Sequence, residues 1–181
     1  TYLTNPADSH RIGYGFSLTD HLSGLIGALA SLAGVEQAAR TGQGIAVDLA
    51  QYEVGLGILG PTLMDALANG VTHEPVGARH PFGVCAPHGT YPAAGEDEWV
   101  AISVRGDDEW RALCAVMDAR GLADDPRFAT HEARLANQDA LDAVIDAWTR
   151  TRDRYEVMNA CQAAGIAAGA VQRAPDLTGN D

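Results

Sequence analysis

The sequence predicts an α/β protein made of two parts. In residues 20–69 a helix, a strand and a second helix follow one another, an order typical of a layered α/β domain. After a stretch rich in Pro and Gly, short strands and amphipathic helices follow in residues 93–181. We therefore expect part of a large domain at 1–70, a linker that borders a binding site at 71–92, and a small α/β domain at 93–181.

The first predicted helix spans residues 20–40 and should occupy a central position. Its apolar residues recur at helical spacing: Leu22, Leu25, Ile26, Leu29 and Leu32. Glycine costs a helix about 1 kcal/mol relative to alanine. The three interior glycines, Gly24, Gly27 and Gly34, therefore indicate close packing against other elements, and Gly42 can supply a left-handed cap at the end.

A strand and a divided helix are predicted next. Ile45, Val47 and Leu49 alternate with smaller or polar residues, which predicts a strand over residues 45–50 with one buried face. Helical spacing returns over residues 51–69, where Pro61 should kink or divide the helix.

The second part should contain three strands and three helices. The strands are predicted at residues 89–91, 99–104 and 167–172, with a turn at 94–97 between the first two. Capping residues predict helices that begin at Asp107, Asn137 and Thr151, the first of them closed by Gly121. The charged residues near the third helix, Arg150, Arg152, Asp153 and Arg154, are interpreted as solvent-exposed.

Charge and hydropathy argue against two classes of partner. The net charge is −12 and the sequence has no lysine, so a nucleic-acid-binding role is not expected. The longest apolar runs are interrupted by Gly, Pro or Asp, and the sequence predicts no signal peptide and no membrane span. We expect a cytoplasmic protein.

The cysteines and histidines do not form a metal-binding pattern. Cys85, Cys114 and Cys161 are widely spaced and are interpreted as reduced thiols. Three histidines lie in residues 71–92, but their irregular spacing favours ordinary loop residues, and we expect no metal.

Asp20 is the first candidate for a catalytic residue. It follows a Gly-rich approach and lies in the first turn of the helix over 20–40, where free N–H groups and the helix dipole favour a nucleophilic carboxylate. Acidic residues are also common in first turns as caps, and the local pattern alone favours that interpretation.

Several motifs follow one another in a distinctive order: Asp20 with its small-residue helix, Thr41-Gly-Gln-Gly44, Val47-Asp48, Gly77-Ala-Arg-His80-Pro81 and Ala86-Pro87-His-Gly-Thr-Tyr91-Pro92. This order resembles the family III CoA transferases (CaiB/BaiF type), which include formyl-CoA, carnitine and bile-acid CoA transferases and α-methylacyl-CoA racemases. Ala78 stands where the family usually has Asn, and His88 where it usually has Tyr. The likeness covers nearly the whole chain.

The resemblance implies a fold, an activity and a set of site residues. The fold would be part of a large Rossmann-like CoA-transferase domain plus a smaller α/β lobe. Asp20 would be catalytic, and Gln51, Arg79 and His80 would contact coenzyme A. The substrates would be an acyl-CoA and a carboxylic acid, and the assembly a homodimer.

The resemblance also implies that the chain is an internal or C-terminal piece of a longer enzyme. Family members carry a nucleotide-binding domain upstream of the aspartate. We therefore expect this piece alone to be inactive, and to associate with another copy or with the rest of its parent chain.

Two other functions remain open from the sequence. In a racemase that acts next to a CoA thioester, Asp20 would be one acid/base partner, and the second would lie outside these residues. His21 cannot be that second partner, since it points about 100° away around the helix. A non-catalytic lobe that packs against a partner chain is the third hypothesis.

Overall fold

The computed structural model describes residues 17–72 and 74–179, and the chain divides into two compact units. The first unit is Thr1–Pro75 and the second is Val76–Asp181. The division falls inside the predicted linker at 71–92, and the end of that linker forms a strand of the second unit. Helices combined with a small antiparallel sheet confirm the predicted α/β class.

The described part of the first unit consists of three helices. They are α1 (Leu18–Thr41), α2 (Gln51–Ile58) and α3 (Gly60–Asn69). Gly42 ends α1 in the left-handed conformation, with φ of 73° and its N–H bonded to Ala38 O, as predicted. Pro61 lies in the first turn of α3, where its missing N–H costs no helical hydrogen bond, so the predicted division of residues 51–69 is confirmed.

The predicted strand over residues 45–50 is wrong. This segment is irregular and exposed, because the described part of the first unit offers no second strand to pair with it. It lies against α1 instead. A Cβ atom built on Gly34 would approach Ile45 Cγ1 to 2.9 Å, and one on Gly27 would lie 3.4 Å from Leu49 Cδ2. Two of the three helix glycines therefore allow the close packing that the sequence predicts.

The apolar side chains of α1 are largely exposed within the described residues. Leu25, Leu29 and Leu32 each expose 68% of their surface. The 24-residue helix is long and apolar enough to cross a membrane, with a mean hydropathy of 1.3 over its best window. Core helices of soluble proteins satisfy the same criterion, so the expected absence of a membrane span stays a prediction.

The second unit contains a three-stranded antiparallel sheet. The strands are β1 (His88–Pro92), β2 (Trp99–Ser103) and β3 (Ala167–Ala170), in the order β1-β2-β3. All three predicted strands are present, although the last ends at Ala170 rather than at 172. One face of the sheet buries Tyr91, Val100 and Ile102, and the opposite face carries Trp99 together with small and polar residues.

The described residues of the second unit also form helices. They are α4 (Asp107–Val116), α5 (His131–Ala136), α6 (Gln138–Thr149), α7 (Arg154–Ala163) and α8 (Ala174–Gly179), with a 3₁₀ turn at Arg120–Ala123. Of these, α6 packs against β1 and α7 packs against β2 and β3. The buried apolar side chains that they contribute to the core include Trp110, Leu113, Leu141, Ile145 and Val157, and Phe128 before α5 packs with them.

Two predicted helix starts need correction. Gly106, not Asp107, is the N-cap of α4, and Asp107 pairs with a buried arginine instead. The third helix does not begin at Thr151, since Asp153 caps α7 by accepting from the N–H groups of Tyr155 and Glu156. The first of these helices ends at Val116 rather than at Gly121.

Arg154 is buried, contrary to its interpretation as a solvent-exposed residue. Its side chain pairs with Glu98 at 2.9 Å and with Asp176 at 2.9 Å, and it donates to Val171 O. Arg173 joins the same carboxylates. The backbone N–H of Arg173 and the Arg154 guanidinium lower the pKa of Asp176. These four charges fix the segment after β3 to the turn before β2.

Arg134 is a second buried guanidinium, and it is completely inaccessible to solvent. It donates to Ala86 O at 2.7 Å, to Phe128 O at 3.0 Å and to Asp107 Oδ1 at 2.9 Å, and it lies over the Trp110 ring. Three segments that are distant in sequence therefore share one cation.

Replacing Arg134 with methionine should lower the free energy of unfolding by about 3 kcal/mol, because two carbonyl oxygens and a carboxylate lose their donor. Urea unfolding followed by tryptophan fluorescence measures the loss. Arg111→Met is the control, since the ion pair of Arg111 with Asp108 is exposed and its removal should change stability little. Equal losses in the two variants would contradict a special role for Arg134.

The cysteine thiols should be unreactive in the folded protein. All three are free and buried, and burial raises the pKa of Cys114 and of Cys161 to about 11. At pH 8 both are therefore protonated in the folded state and titrate normally in the unfolded state. Ellman's reagent should modify Cys114 and Cys161 only after a denaturant is added. Fast modification of either in buffer would show that its thiol is accessible.

Candidate functional site

The carboxylate of Asp20 lies in the first turn of α1 and contacts the first residue of α2. Gln51 donates a side-chain hydrogen bond to Asp20 Oδ1 and a second one, of 3.1 Å, to Thr19 Oγ1. The close approach of the two helix starts is also visible at Gly55, where an added Cβ would lie 3.5 Å from Thr19 Cγ2. The structure thus brings together two candidate residues that are 31 positions apart in the sequence.

This geometry suits an anionic and oriented carboxylate. Asp20 and Gln51 both lie in first turns, where unpaired N–H groups and the helix dipoles favour negative charge. The Nδ1 atom of His21 lies 2.8 Å from Ser17 O, one turn earlier in the chain.

The other two candidates, Arg79 and His80, lie on a loop of the second unit. This loop, residues 76–83, forms two successive turns, closed by hydrogen bonds from Arg79 N to Val76 O and from Gly83 N to His80 O. Gly77 and Gly83 have φ values of 66° and 61°, which other residues rarely adopt. His131 bonds to Gly83 O at 2.8 Å and anchors the far end of the loop.

Arg79 anchors the near end of the loop to α6. Its Nη2 atom donates to Asp139 at 2.6 Å and to Asp142 at 2.7 Å, and its Nε atom donates to Asp142 at 3.0 Å. Burial alone would lower the pKa of Arg79, but the two carboxylates outweigh burial and raise it. A phosphate group at Arg79 would have to compete with these carboxylates, which counts against the predicted contact with coenzyme A.

Tyr91 extends the Arg79 cluster into the core. Its hydroxyl donates to Asp142 Oδ1 at 2.9 Å, and its side chain is almost fully buried. Burial and the Asp142 charge raise the pKa of Tyr91. A cavity of about 360 Å³ beside this cluster is lined by Asp142, Asp146 and Arg150 among others.

His80 has one nitrogen occupied and its ring beside a second imidazole. Its Nδ1 atom accepts from the N–H of Phe82 at 3.2 Å, so a neutral ring carries its proton on Nε2. The centroid of the His80 ring lies 5.2 Å from that of His88, in an edge-on arrangement. The two loop histidines of the described residues are therefore neighbours.

Sequence reasoning missed the acidic partners of Arg79. Asp139, Asp142 and Asp146 are spaced i, i+3 and i+7, which places three carboxylates on one face of α6. This spacing could have predicted an acidic face on α6, but the apolar residues of the same helix form the more obvious periodic pattern.

Comparison with known proteins decides the family. The sequence model of the family described as CoA-transferase family III matches residues 1–180 of this chain. The chain belongs to CoA-transferase family III. The predicted resemblance is thus confirmed.

Two curated relatives illustrate the similarity. A probable CoA-transferase of Mycobacterium tuberculosis is 42% identical over 158 residues, which cover 87% of this chain and 19% of that protein. The succinyl-CoA:D-citramalate CoA-transferase of Chloroflexus aurantiacus is 34% identical over 165 residues, which cover 90% of this chain and 40% of that protein.

A solved structure shares the fold. The crystal structure of a CAIB/BAIF family protein from Brucella suis superimposes with a TM-score of 0.89 at 28% identity. The match covers 99% of this chain and 46% of that one. The chain therefore spans less than half the length of these relatives.

Arg79→Met should separate an anchoring role from a CoA-binding role. If Arg79 anchors the loop, the variant should lose about 1 kcal/mol of unfolding free energy, because Asp142 loses its cation. Its affinity for CoA, measured by calorimetry on the intact protein, should then stay the same. Arg150→Met is the control, since Arg150 lines the same cavity but makes a single exposed pair with Asp146. Unchanged stability together with weaker CoA binding would restore the predicted contact.

Proposed function

We propose that the protein is an acyl-CoA:carboxylate CoA transferase in which Asp20 carries first an acyl group and then CoA. The observation that carries the proposal is the Asp20 carboxylate in the first turn of α1, held by the Gln51 amide. Membership of CoA-transferase family III supports the reaction class, and the names of the relatives indicate short carboxylic acids as acceptors.

The proposed reaction proceeds through four exchanges on Asp20. Its carboxylate attacks the acyl-CoA thioester, which forms a mixed anhydride and releases CoA thiolate. The thiolate attacks the aspartyl carbonyl, which leaves an aspartyl-CoA thioester and frees the donor acid. The acceptor carboxylate displaces CoA and forms a second anhydride, and CoA thiolate then attacks the acceptor acyl carbon. The products are the new acyl-CoA and a regenerated carboxylate, and no net proton is consumed.

In this scheme Gln51 orients the Asp20 carboxylate and later donates a hydrogen bond to the developing oxyanion. Attack by the carboxylate requires one oxygen to point at the thioester carbon, and a hydrogen bond to Oδ1 restricts the rotation of the group. When the aspartyl carbonyl is itself attacked, the same amide can donate to the developing oxyanion. The prediction that Gln51 contacts CoA is compatible with this role, because the aspartyl-CoA thioester brings CoA to the same place.

His80 stays a predicted contact for the acyl-CoA. Its Nε2–H is the ring donor that the bond from Phe82 leaves available, and an N–H donor suits a thioester or amide carbonyl. Arg79 supports this proposal indirectly, since it holds the loop that carries His80 against α6.

The exposed leucines of α1 support the proposed assembly. Leu25, Leu29 and Leu32 are each about two-thirds exposed, and together they form a larger apolar surface than soluble proteins usually leave in contact with water. We propose that a second copy, as in a homodimer, or a further part of the parent chain covers them.

Asp20→Asn should abolish a covalent adduct in the intact protein. Incubation with acyl-CoA should leave an acyl or CoA group on the peptide that contains Asp20, and hydroxylamine should remove that group and inactivate the enzyme. The amide keeps the size of the side chain, so the melting temperature should hold while transfer falls by several orders of magnitude. Mass spectrometry of the peptide is the measurement.

Asp48→Asn is the matched control. Asp48 is an exposed aspartate of the same unit, so this variant should keep full activity.

A racemase would behave differently. It would exchange the α-proton of a 2-methylacyl-CoA with solvent deuterium and form no adduct. Deuterium exchange without CoA transfer would replace the proposal by the racemase alternative, and full activity of Asp20→Asn in both assays would remove the two together. A non-catalytic lobe would be indicated if the intact protein showed neither reaction.

A further inference from the structure

The side-chain amide of Gln51 contacts two acceptors at the start of α1. Its Nε2 atom carries two hydrogens, and it donates to Asp20 Oδ1 and, at 3.1 Å, to Thr19 Oγ1. One hydrogen can therefore serve each acceptor at the same time. Asp20 is the proposed nucleophile, whereas Thr19 takes no part in the reaction described above.

The hydroxyl of Thr19 is used differently from two other hydroxyls of the same helix. The Ser31 hydroxyl donates to Gly27 O and the Thr41 hydroxyl to Gln37 O, each at 2.8 Å and one turn back along α1. Thr19 is the second residue of α1 and lies before its first complete turn is formed. Its oxygen accepts from a side chain 32 positions away, so this contact joins two helices.

The methyl group of Thr19 fixes the direction of its hydroxyl. A β-branched side chain has few rotamers, so one contact restricts it strongly. A Cβ atom built on Gly55 would lie 3.5 Å from Thr19 Cγ2, which places the methyl group against the backbone of α2. Gly55 follows Gln51 by one helical turn and lies on the same face of α2. Both branches of the Thr19 side chain therefore meet α2.

A second acceptor restricts the Gln51 amide more than Asp20 alone can. A glutamine side chain has three rotatable bonds, and a single hydrogen bond to the carboxylate leaves the amide plane free to turn about that contact. When both hydrogens of Nε2 are engaged, the plane is fixed by two points. Because a carboxylate only accepts, this arrangement also keeps the NH₂ end of the amide, not its oxygen, towards Asp20.

We propose that Thr19 is a positioning residue for the transfer reaction. By accepting the second N–H of Gln51, it keeps the first N–H on the Asp20 carboxylate and, later, on the oxyanion that forms at the aspartyl carbonyl. This role rests on the proposed function, because Asp20 is the reacting group. The forked hydrogen bond does not rest on it, because it follows from contacts within the first unit alone.

Thr19→Val tests the role in the intact protein. Valine keeps the branched shape and the contact with Gly55 but cannot accept a hydrogen bond. Saturating acyl-CoA should form the adduct on Asp20 about tenfold more slowly, since the orienting hydrogen bond is lost. The acyl-CoA concentration that gives half the maximal rate should not change, because the substrate-binding groups are untouched.

Two further variants show that the hydroxyl, not the fold, causes the loss. Thr19→Ser keeps the acceptor and should retain the wild-type rate within about twofold. Ser31→Ala is the matched control, since the Ser31 hydroxyl bonds to its own helix, and its rate should be unchanged. Equal losses in Thr19→Ser and Thr19→Val, or an unchanged rate in Thr19→Val, would overturn the proposal.

A double variant tests whether Thr19 acts through Gln51. Gln51→Ala should slow adduct formation by itself, and the addition of Thr19→Val to it should cause no further loss. A purely structural role of Thr19 in α1 would instead reduce the rate by the same factor in both backgrounds. Losses that multiply in this way would overturn the proposal.

NMR of the 181-residue chain separates failure of this proposal from failure of the proposed function. Thr19→Val should shift a side-chain amide proton of Gln51 and leave the amide signals of Gln37, further along α1, unchanged. Unshifted Gln51 signals would show that the fork does not form. An adduct that forms equally fast in wild type and Thr19→Val would reject the positioning role and keep the transferase. A shift at Gln51 without any adduct in the intact protein would reject the transferase, and with it the role of Thr19, and leave only the hydrogen bond.

Discussion

Arg134 holds together the segments on which the second unit depends. Its guanidinium reaches Ala86 just before β1, Phe128 before α5, and Asp107 at the start of α4. A cation without access to water is stable only if its donors are satisfied, so these segments must keep their relative positions. The position of the loop at 76–83 depends on the same segments. At one end Arg79 pairs with carboxylates of α6. At the other end His131 bonds to Gly83 O and Arg134 donates to Ala86 O, and His80 lies between these two anchors.

The sequence predicts elements well where periodicity is long and local. The helix α1, its glycine cap and the division of residues 51–69 at Pro61 depend on interactions within a few residues, and they form as expected. The strand over residues 45–50 fails for the opposite reason. Alternation shows that a segment can be a strand, but strand formation requires a hydrogen-bonding neighbour, and the described first unit provides none.

Sequence patterns do not predict which arginines are buried. Arg134 and Arg154 look like surface residues because their partners are distant in sequence. Glu98 is 56 positions from Arg154, and Ala86 is 48 positions from Arg134. The candidate site shows the same limit. The motifs indicate Asp20 and Gln51 separately, but only the packing of α1 against α2 joins them.

Because the sequence has no lysine, the positive and negative charges of these clusters respond differently to pH and to chemical modification. Every strongly basic side chain is a guanidinium, which stays charged throughout the accessible pH range and is not a substrate for lysine acetylation. Alkaline solution therefore leaves the positive half of the Arg154 cluster intact. Acid acts on Asp176: because the pKa of Asp176 is lowered, its stabilising charge persists until the pH falls through that depressed value. The positive half of the cluster that holds the segment after β3 therefore withstands base and lysine-directed reagents, and acid weakens the cluster at Asp176.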